Sequence, residues 1–122
     1  MNPLDINLEE YKKFKSNPDE GPIVMLNLLK FKPGGEKDYA RYAKATGEII
    51  SAIGGRVLYA GRAAELLTGQ EQWDAVLMVQ YPSRKAFLEM IKDSEYQKIH
   101  ADREAALERA VLYATTPTDL RK

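Results

Sequence analysis

The sequence predicts one α+β domain with the ferredoxin-like order β-α-β-β-α-β and an antiparallel sheet in strand order 4-1-3-2. Helical periodicity occupies two long segments, apolar runs of strand length occupy four others, and glycine or proline turn signals separate them. The length of 122 residues fits a single domain, predicted to span residues 1–122.

The first half of the chain predicts three elements. Residues 8–16 form a short amphipathic helix pattern, for which Asn7 is a suitable N-cap. The apolar run 22–31 predicts the first strand. Residues 36–53 repeat apolar side chains at three-and-four spacing, which predicts a helix that the Gly54-Gly55 pair ends.

The second half predicts two strands, a broken helix and a last strand. These segments are apolar at strand or helix period and are bounded by glycine, proline or serine. In chain order they are a strand over 56–61, its continuation over 62–68 past a bulge at Gly61, a strand over 73–81, a helix that begins at the Ser83 cap, breaks near Asp93-Ser94 and resumes over 95–110, and a strand over 111–116.

The composition weighs against several classes of function. Lys plus Arg equals Asp plus Glu at 18 each, which disfavours nucleic acid and anionic membrane as partners. The absence of cysteine excludes disulfides, thiolate nucleophiles and iron–sulfur sites. The first residues lack a secretion signal and no apolar run is long enough to span a bilayer, so the expected location is cytoplasmic.

The strands over 22–31 and 73–81 are apolar on both faces, which predicts a homodimer. Two helices cover only one face of such a sheet, and a solvated face normally alternates apolar with polar residues. A second copy of the sheet is the simplest cover for the other face. The alternative is that the helix over 8–16 folds under the sheet, although nine residues are too few to cover four strands.

Three motifs resemble the family called domain of unknown function 1330. They are the strand Val24–Phe31 followed by Tyr39 and Tyr42, the segment Tyr81–Phe87, and the segment Asp93–Gln97 with Arg103 beyond it. The resemblance covers about 22–116. It implies membership of the dimeric α/β-barrel superfamily, in which two ferredoxin-like subunits pack sheet against sheet, and it implies no particular reaction.

Asn27 is a polar amide within a doubly apolar strand, where an unpaired amide is costly. It either bonds a bulge or neighbouring loop, or it lies in a ligand pocket. The helices that follow offer it no amide partner, so we predict that it faces the pocket between the sheets rather than the helices.

The other candidate site residues are fewer and each has a structural alternative. His100, the only histidine, is the candidate general base, although a lone helical histidine is more often a surface or packing residue. Across the predicted hairpin, Trp73 and Asp74 face Arg62 and Glu65. This arrangement suggests either a pocket with Trp73 as a wall and Arg62 as an anion holder, or a cross-strand ion pair with aromatic packing. A helix salt bridge is expected for Arg103.

These residues predict a small-molecule-binding protein that needs no metal or cofactor. No metal-ligand spacing or phosphate loop is present, and an RNA-binding version of the same strand order would need stacking aromatics and a basic surplus. The leading hypothesis is a cofactor-independent enzyme acting on a small organic acid or aromatic metabolite. The alternative is a non-catalytic ligand-binding or structural homodimer.

Overall fold

The computed structural model describes residues 4–121 and contains four helices and four strands. The predicted order of elements is confirmed, with the broken helix present as two. In chain order the elements are α1 (Leu8–Ser16), β1 (Ile23–Phe31), α2 (Glu36–Ala52), β2 (Arg56–Arg62), β3 (Ala75–Tyr81), α3 (Arg84–Lys92), α4 (Ser94–Ala106) and β4 (Leu107–Thr115).

The four strands form one antiparallel sheet in the order β2-β3-β1-β4. This is the predicted order 4-1-3-2 viewed from the opposite edge, so the fold prediction is confirmed. The two most apolar strands, β1 and β3, lie at the centre. Within one chain the sheet stays open, with β2 and β4 as its two edges.

The helices cover one face of the sheet, and the hydrophobic core lies between them and that face. Side chains at alternate positions of β1 and β3 meet the inner sides of α2, α3 and α4. The buried hydrophobic residues are Ile23, Met25, Leu29, Tyr39, Tyr42, Ile50, Val79, Tyr81, Phe87, Met90, Tyr96, Ala106 and Leu107.

The short helix α1 packs on the outside of α3. The rings of Phe14 and Phe87 meet edge to face with centroids 5.7 Å apart, and the Arg84 guanidinium lies 5.6 Å from the Phe14 ring centre. Asn7 occupies the N-cap position but its side chain makes no capping bond. Because α1 lies on the helical side, it does not cover the opposite face of the sheet.

That opposite face, here called the outer face, is mainly apolar, and no other part of residues 4–121 covers it. Its side chains alternate with those of the core along each strand. Tyr113 at the β4 edge is 64% exposed. Its side chains on the central strands β1 and β3 are only half-buried. The apolar residues of the outer face are Val24, Leu26, Leu28, Tyr59, Val76, Met78, Val111 and Tyr113.

The last helix is shorter than predicted and the last strand is longer. Helix α4 ends at Ala106, whereas the periodicity suggested residue 110. Leu107 instead pairs with Phe31, and the Lys32 amide donates to the Ala106 carbonyl at 2.9 Å. Pairing with the full length of β1 provides hydrogen-bond partners for the backbone groups of residues 107–110. These tertiary contacts override the local helical preference of the segment.

The connection between β2 and β3 also differs from the prediction. The strand β2 stops at Arg62 rather than continuing to residue 68, and β3 begins at Ala75 rather than at Trp73. The register shift falls between Val57 and Tyr59, not at Gly61. Residues 63–74 form an irregular connection.

No helix among residues 4–121 is long and apolar enough to cross a membrane.

Candidate functional site

An open groove of about 890 Å³ lies between α2 and the β2–β3 side of the sheet. Leu29 and Leu77 form the apolar base on the sheet, and Tyr39 stands in the helix wall. Ala43 on α2 and Ala60 on β2 contribute only methyl groups, so the helix and the sheet edge do not fill the space between them. Charged residues line the rest of it, namely Lys30, Lys32, Glu36, Arg62, Asp74 and Glu108. Its size, apolar base and polar surround suit a small organic ligand.

A cation and an anion flank the mouth of this groove. Arg62 at the end of β2 and Glu36 at the start of α2 approach to 3.8 Å between Nη2 and Oε2, and both side chains are mostly exposed. The predicted alternative of an ion pair between Arg62 and Asp74 across the hairpin does not form. As an exposed pair, Arg62 and Glu36 contribute little to stability.

Asp74 lines the groove but its carboxylate is engaged with the end of β1. The Phe31 amide donates to Oδ2 at 2.9 Å, and Lys30 Nζ lies 3.3 Å from Oδ1. The bond from the Phe31 amide, and then the bond and charge of Lys30, hold the pKa of this carboxyl below its usual value of 3.8. At neutral pH the Asp74 carboxylate therefore accepts hydrogen bonds from the end of β1 and holds that end in place.

Replacing Asp74 with asparagine is expected to flatten the acid limb of the stability profile. A depressed folded-state pKa gives a stabilisation that is fully present above the unfolded value near 3.8 and is lost as pH falls through the folded value. Urea midpoints from pH 6 downward should therefore fall less in the variant than in the wild type. Equal slopes below pH 4 would contradict this role, and the exposed change Glu71→Gln, in the connection that precedes Asp74, is the control.

Trp73 stacks on Arg109 and is not part of the groove lining. The guanidinium of Arg109 lies 4.1 Å from the ring centre and Nη2 donates to the Gln72 carbonyl at 2.6 Å. Arg109 pairs with Lys30 in register, which places it on the outer face. The structure thus separates Trp73 from Arg62, although the sequence suggested that they share one pocket.

Asn27 faces the helices, so the prediction that it points away from them is wrong. It shares its side of β1 with Met25 and Leu29, both buried in the core, and is itself 9% exposed. Its Nδ2 donates to the carbonyls of Met25 and Leu77 at 3.3 and 3.5 Å. Backbone carbonyls of the sheet therefore accept the hydrogen bonds of this amide, which no helical side chain does. One of these carbonyls belongs to Leu77, which lies in the base of the groove.

Three tyrosines connect the groove with the helix interface behind it. The hydroxyls of Tyr42 and Tyr96 bond each other at 2.8 Å. Tyr39 packs edge to face against Phe31 and Tyr42, with centroids 5.6 and 5.5 Å apart, and it lines the groove. Burial, and then the neighbouring Tyr42, raise the pKa of Tyr39 above its usual 10.0, so its hydroxyl stays neutral.

His100 lies away from the groove on α4. Its Nε2 is 3.1 Å from Glu104 Oε1 and its ring is 5.8 Å from that of Tyr96. Arg103 does not form the helix salt bridge expected for it, because Glu104 is paired with His100 and Asp102 with Arg41. Within residues 4–121, no ion pair or hydrogen bond involves the Arg103 side chain.

Of the residues that line the groove, the sequence singled out Arg62 and Asp74 as ligand-binding candidates, but not those of the helix wall and the sheet edge. Tyr39 was interpreted as core packing, and Ala43 and Ala60 carried no signal as isolated alanines. These alanines leave a groove only because α2 packs opposite β2, so that two small side chains face each other. Among the described residues, no group of three or more His, Asp or Glu side chains is arranged to hold a metal ion.

The sheet, its single helical layer and the groove between them define a ferredoxin-like α+β protein with a candidate ligand site. The chain belongs to the family described as Domain of unknown function (DUF1330), whose model matches residues 28–116. The resemblance carried by the strand, tyrosine and helix motifs is thereby confirmed.

Solved structures show the same fold. A protein of unknown function from Rhodopseudomonas palustris is 34% identical, with 98% of this chain and 99% of that one covered and a TM-score of 0.88. A protein from Arabidopsis thaliana has 14% identity, 80% and 97% coverage and a TM-score of 0.67. A dimeric protein of unknown function and ferredoxin-like fold from Bacteroides fragilis has 10% identity, 80% and 98% coverage and a TM-score of 0.51. No curated protein matches the chain.

Proposed function

We propose that this protein binds a small organic acid or aromatic metabolite in the groove between α2 and the sheet, and that it works as a homodimer. The observation that carries the proposal is the groove itself. It combines a base of Leu29 and Leu77, methyl groups on two sides and a neutral phenol in one wall. An apolar body would bury surface on the base while polar groups orient it.

The groove also offers limited chemistry of its own. The neutral Tyr39 hydroxyl can donate a hydrogen bond that polarises a substrate oxygen, and this effect needs no metal or cofactor. A cofactor-independent enzyme acting on the bound metabolite is the first form of the proposal. Asn27 is a second candidate for contact with ligand, because its cross-strand partner Leu77 lines the groove.

The second form of the proposal is a non-catalytic ligand-binding or structural homodimer. His100, the side chain best suited to general-base catalysis, is paired with Glu104 and lies outside the groove lining. A binding protein requires only the shape and polarity of the groove. Turnover of a bound ligand would favour the enzyme, and binding without turnover would favour this alternative.

Filling the groove tests the proposed site. Amide NMR spectra recorded with a library of small organic and aromatic acids should reveal ligands that perturb Ala43, Ala60 and Ala75. Ala43→Trp should then weaken those ligands at least tenfold, because the indole occupies their space. Ala101→Trp, an exposed change on α4, is the matched control. Ligands that bind Ala43→Trp as tightly as the wild type would refute the site.

The outer face supports the homodimer part of the proposal. Nothing in the described part of the chain covers its apolar side chains, and burying such a surface is the main driving force for obligate association. The contact of Trp73 with Arg109 brings the end of the 63–74 connection onto this face. In the same connection the Leu67 side chain is 92% exposed, which adds to the apolar surface left uncovered.

A further inference from the structure

We propose that Arg62 and Glu36 together recognise the head group of a zwitterion, and that the ligand of the groove is an aromatic α-amino acid whose ring lies on Leu29 and Leu77. This inference rests on the proposed ligand function of the groove and names the substrate class of that same site. It follows from an arrangement that both walls share, with small apolar residues inside and a charged residue at the mouth.

The sheet wall carries methyl groups inside and a cation at its end. Arg62 pairs in register with Ala75, and Ala75 pairs with Leu29, so the three side chains form one row on the helical face of the sheet. Two residues earlier on β2, Ala60 pairs with Leu77. Because two residues of a strand span about 7 Å, Arg62 stands about 7 Å along β2 from the row that contains Leu77.

The helix wall repeats this arrangement with an anion. Glu36, Ala40 and Ala43 line the groove at a spacing of four and three residues, which places them on one face of α2. Glu36 lies in the first turn of the helix. The 3.8 Å between Arg62 Nη2 and Glu36 Oε2 puts both charges at the same end of the groove. Between these charges and the apolar base there is room for one aromatic ring.

Both charges at the mouth keep their hydrogen-bonding capacity. Their separation of 3.8 Å is too long for a hydrogen bond, and within residues 4–121 neither side chain bonds to any other residue. By contrast, Asp74 accepts from the Phe31 amide, and Lys32 donates to the Glu104 carbonyl at 3.3 Å. Arg62 and Glu36 are therefore free to bind a ligand.

The charges of the lining favour a zwitterion over a simple acid. Three of the charged residues are basic and three are acidic, so an ion of a single sign meets no net attraction. A carboxylate bound to Arg62 alone is also repelled by Glu36. In an α-amino acid, the amine nitrogen and the carboxylate carbon are about 2.5 Å apart. The carboxylate can thus face Arg62 while the ammonium group faces Glu36, and each charge gains a partner.

The test is amide NMR titration at pH 7 with L-phenylalanine, 3-phenylpropionate and 2-phenylethylamine, which share one ring and differ in charge. The wild type should bind phenylalanine about fivefold more tightly than either analogue, because an ion pair at a partly exposed site adds up to that order of affinity. Arg62→Gln should weaken the binding of phenylalanine but not of 2-phenylethylamine. Glu36→Gln should weaken the binding of phenylalanine but not of 3-phenylpropionate.

Matched controls remove the same charges from the far ends of the same elements. Arg56→Gln on β2 and Glu48→Gln on α2 change exposed residues outside the groove, and both should keep the wild-type preference. The double variant Arg62→Glu with Glu36→Arg exchanges the two charges. It should recover part of the preference for phenylalanine that each single variant loses.

The possible results separate the inference from the proposed function. If phenylalanine and 3-phenylpropionate bind the wild-type groove equally, or if both single variants keep the preference, the inference is wrong while the groove remains a ligand site. If none of the three compounds perturbs Ala43, Ala60 or Ala75, the inference is refuted. The proposed function fails with it only if the wider library of acids also leaves these amides unchanged.

Discussion

Replacing Met78 with aspartate is expected to convert the proposed homodimer into monomers. Met78 lies in the middle of the outer face, paired with Leu26 on one side and Tyr59 on the other. In a sheet-against-sheet dimer, each copy would bury a carboxylate without a partner, at a cost of several kcal/mol per ion. Light scattering at micromolar concentration should give about twice the chain mass of 13.8 kDa for the wild type and the single-chain mass for the variant.

The control for this experiment is Lys44→Asp, which places the same side chain on the exposed side of α2. It should leave the dimer intact. Circular dichroism of both variants checks that the fold persists, since Met78 points away from the monomer core. A wild type that is monomeric at tens of micromolar, or a Met78→Asp protein of double mass, would contradict the proposed interface.

Truncating Leu107 to alanine is expected to give a large loss of stability, about 2–5 kcal/mol. Leu107 is fully buried where α4 passes directly into β4, and it pairs with Phe31 at the end of β1. The cavity would lie between the helix layer and the sheet, where the rigid helix-to-strand passage limits collapse. Urea unfolding at one fixed protein concentration measures the change, because the stability of a dimer depends on concentration.

Leu112→Ala is the matched control, because it is the same substitution in the same strand. Leu112 is 45% exposed, and the removed atoms lose less burial and leave no closed cavity. Its cost should therefore remain below about 1 kcal/mol. Equal losses at the two positions would show that Leu107 is less tightly packed than its burial suggests.

The strand order could be predicted because the evidence for it is local and repeated. Apolar runs of strand length alternate with helical periodicity, and few topologies accommodate that order with right-handed crossovers. The end of α4 could not be predicted in this way. Residues 107–110 continue an acceptable helical pattern, and only pairing with β1, distant in sequence, makes them a strand.

The candidate site was less accessible from sequence because it depends on which face each side chain takes. Asn27 lies in a strand that is apolar at both parities, so the pattern could not assign it to the helical side. Arg62 and Asp74 were recognised as charged residues near one loop, yet they pair with Glu36 and Lys30 instead of each other. Partner choice between distant segments is a property of the tertiary structure.

The central position of β1 has a consequence for how the chain folds during synthesis. Its contacts with β3 span about 50 residues, as for Asn27 and Leu77, whereas its contacts with β4 span up to 91 residues, as for Val24 and Thr115. Until the last strand leaves the ribosome, the most apolar strand of the sheet has one open edge and an uncovered face. Open apolar edges recruit other chains, so nascent molecules are most prone to aggregate before β4 has emerged and paired with β1.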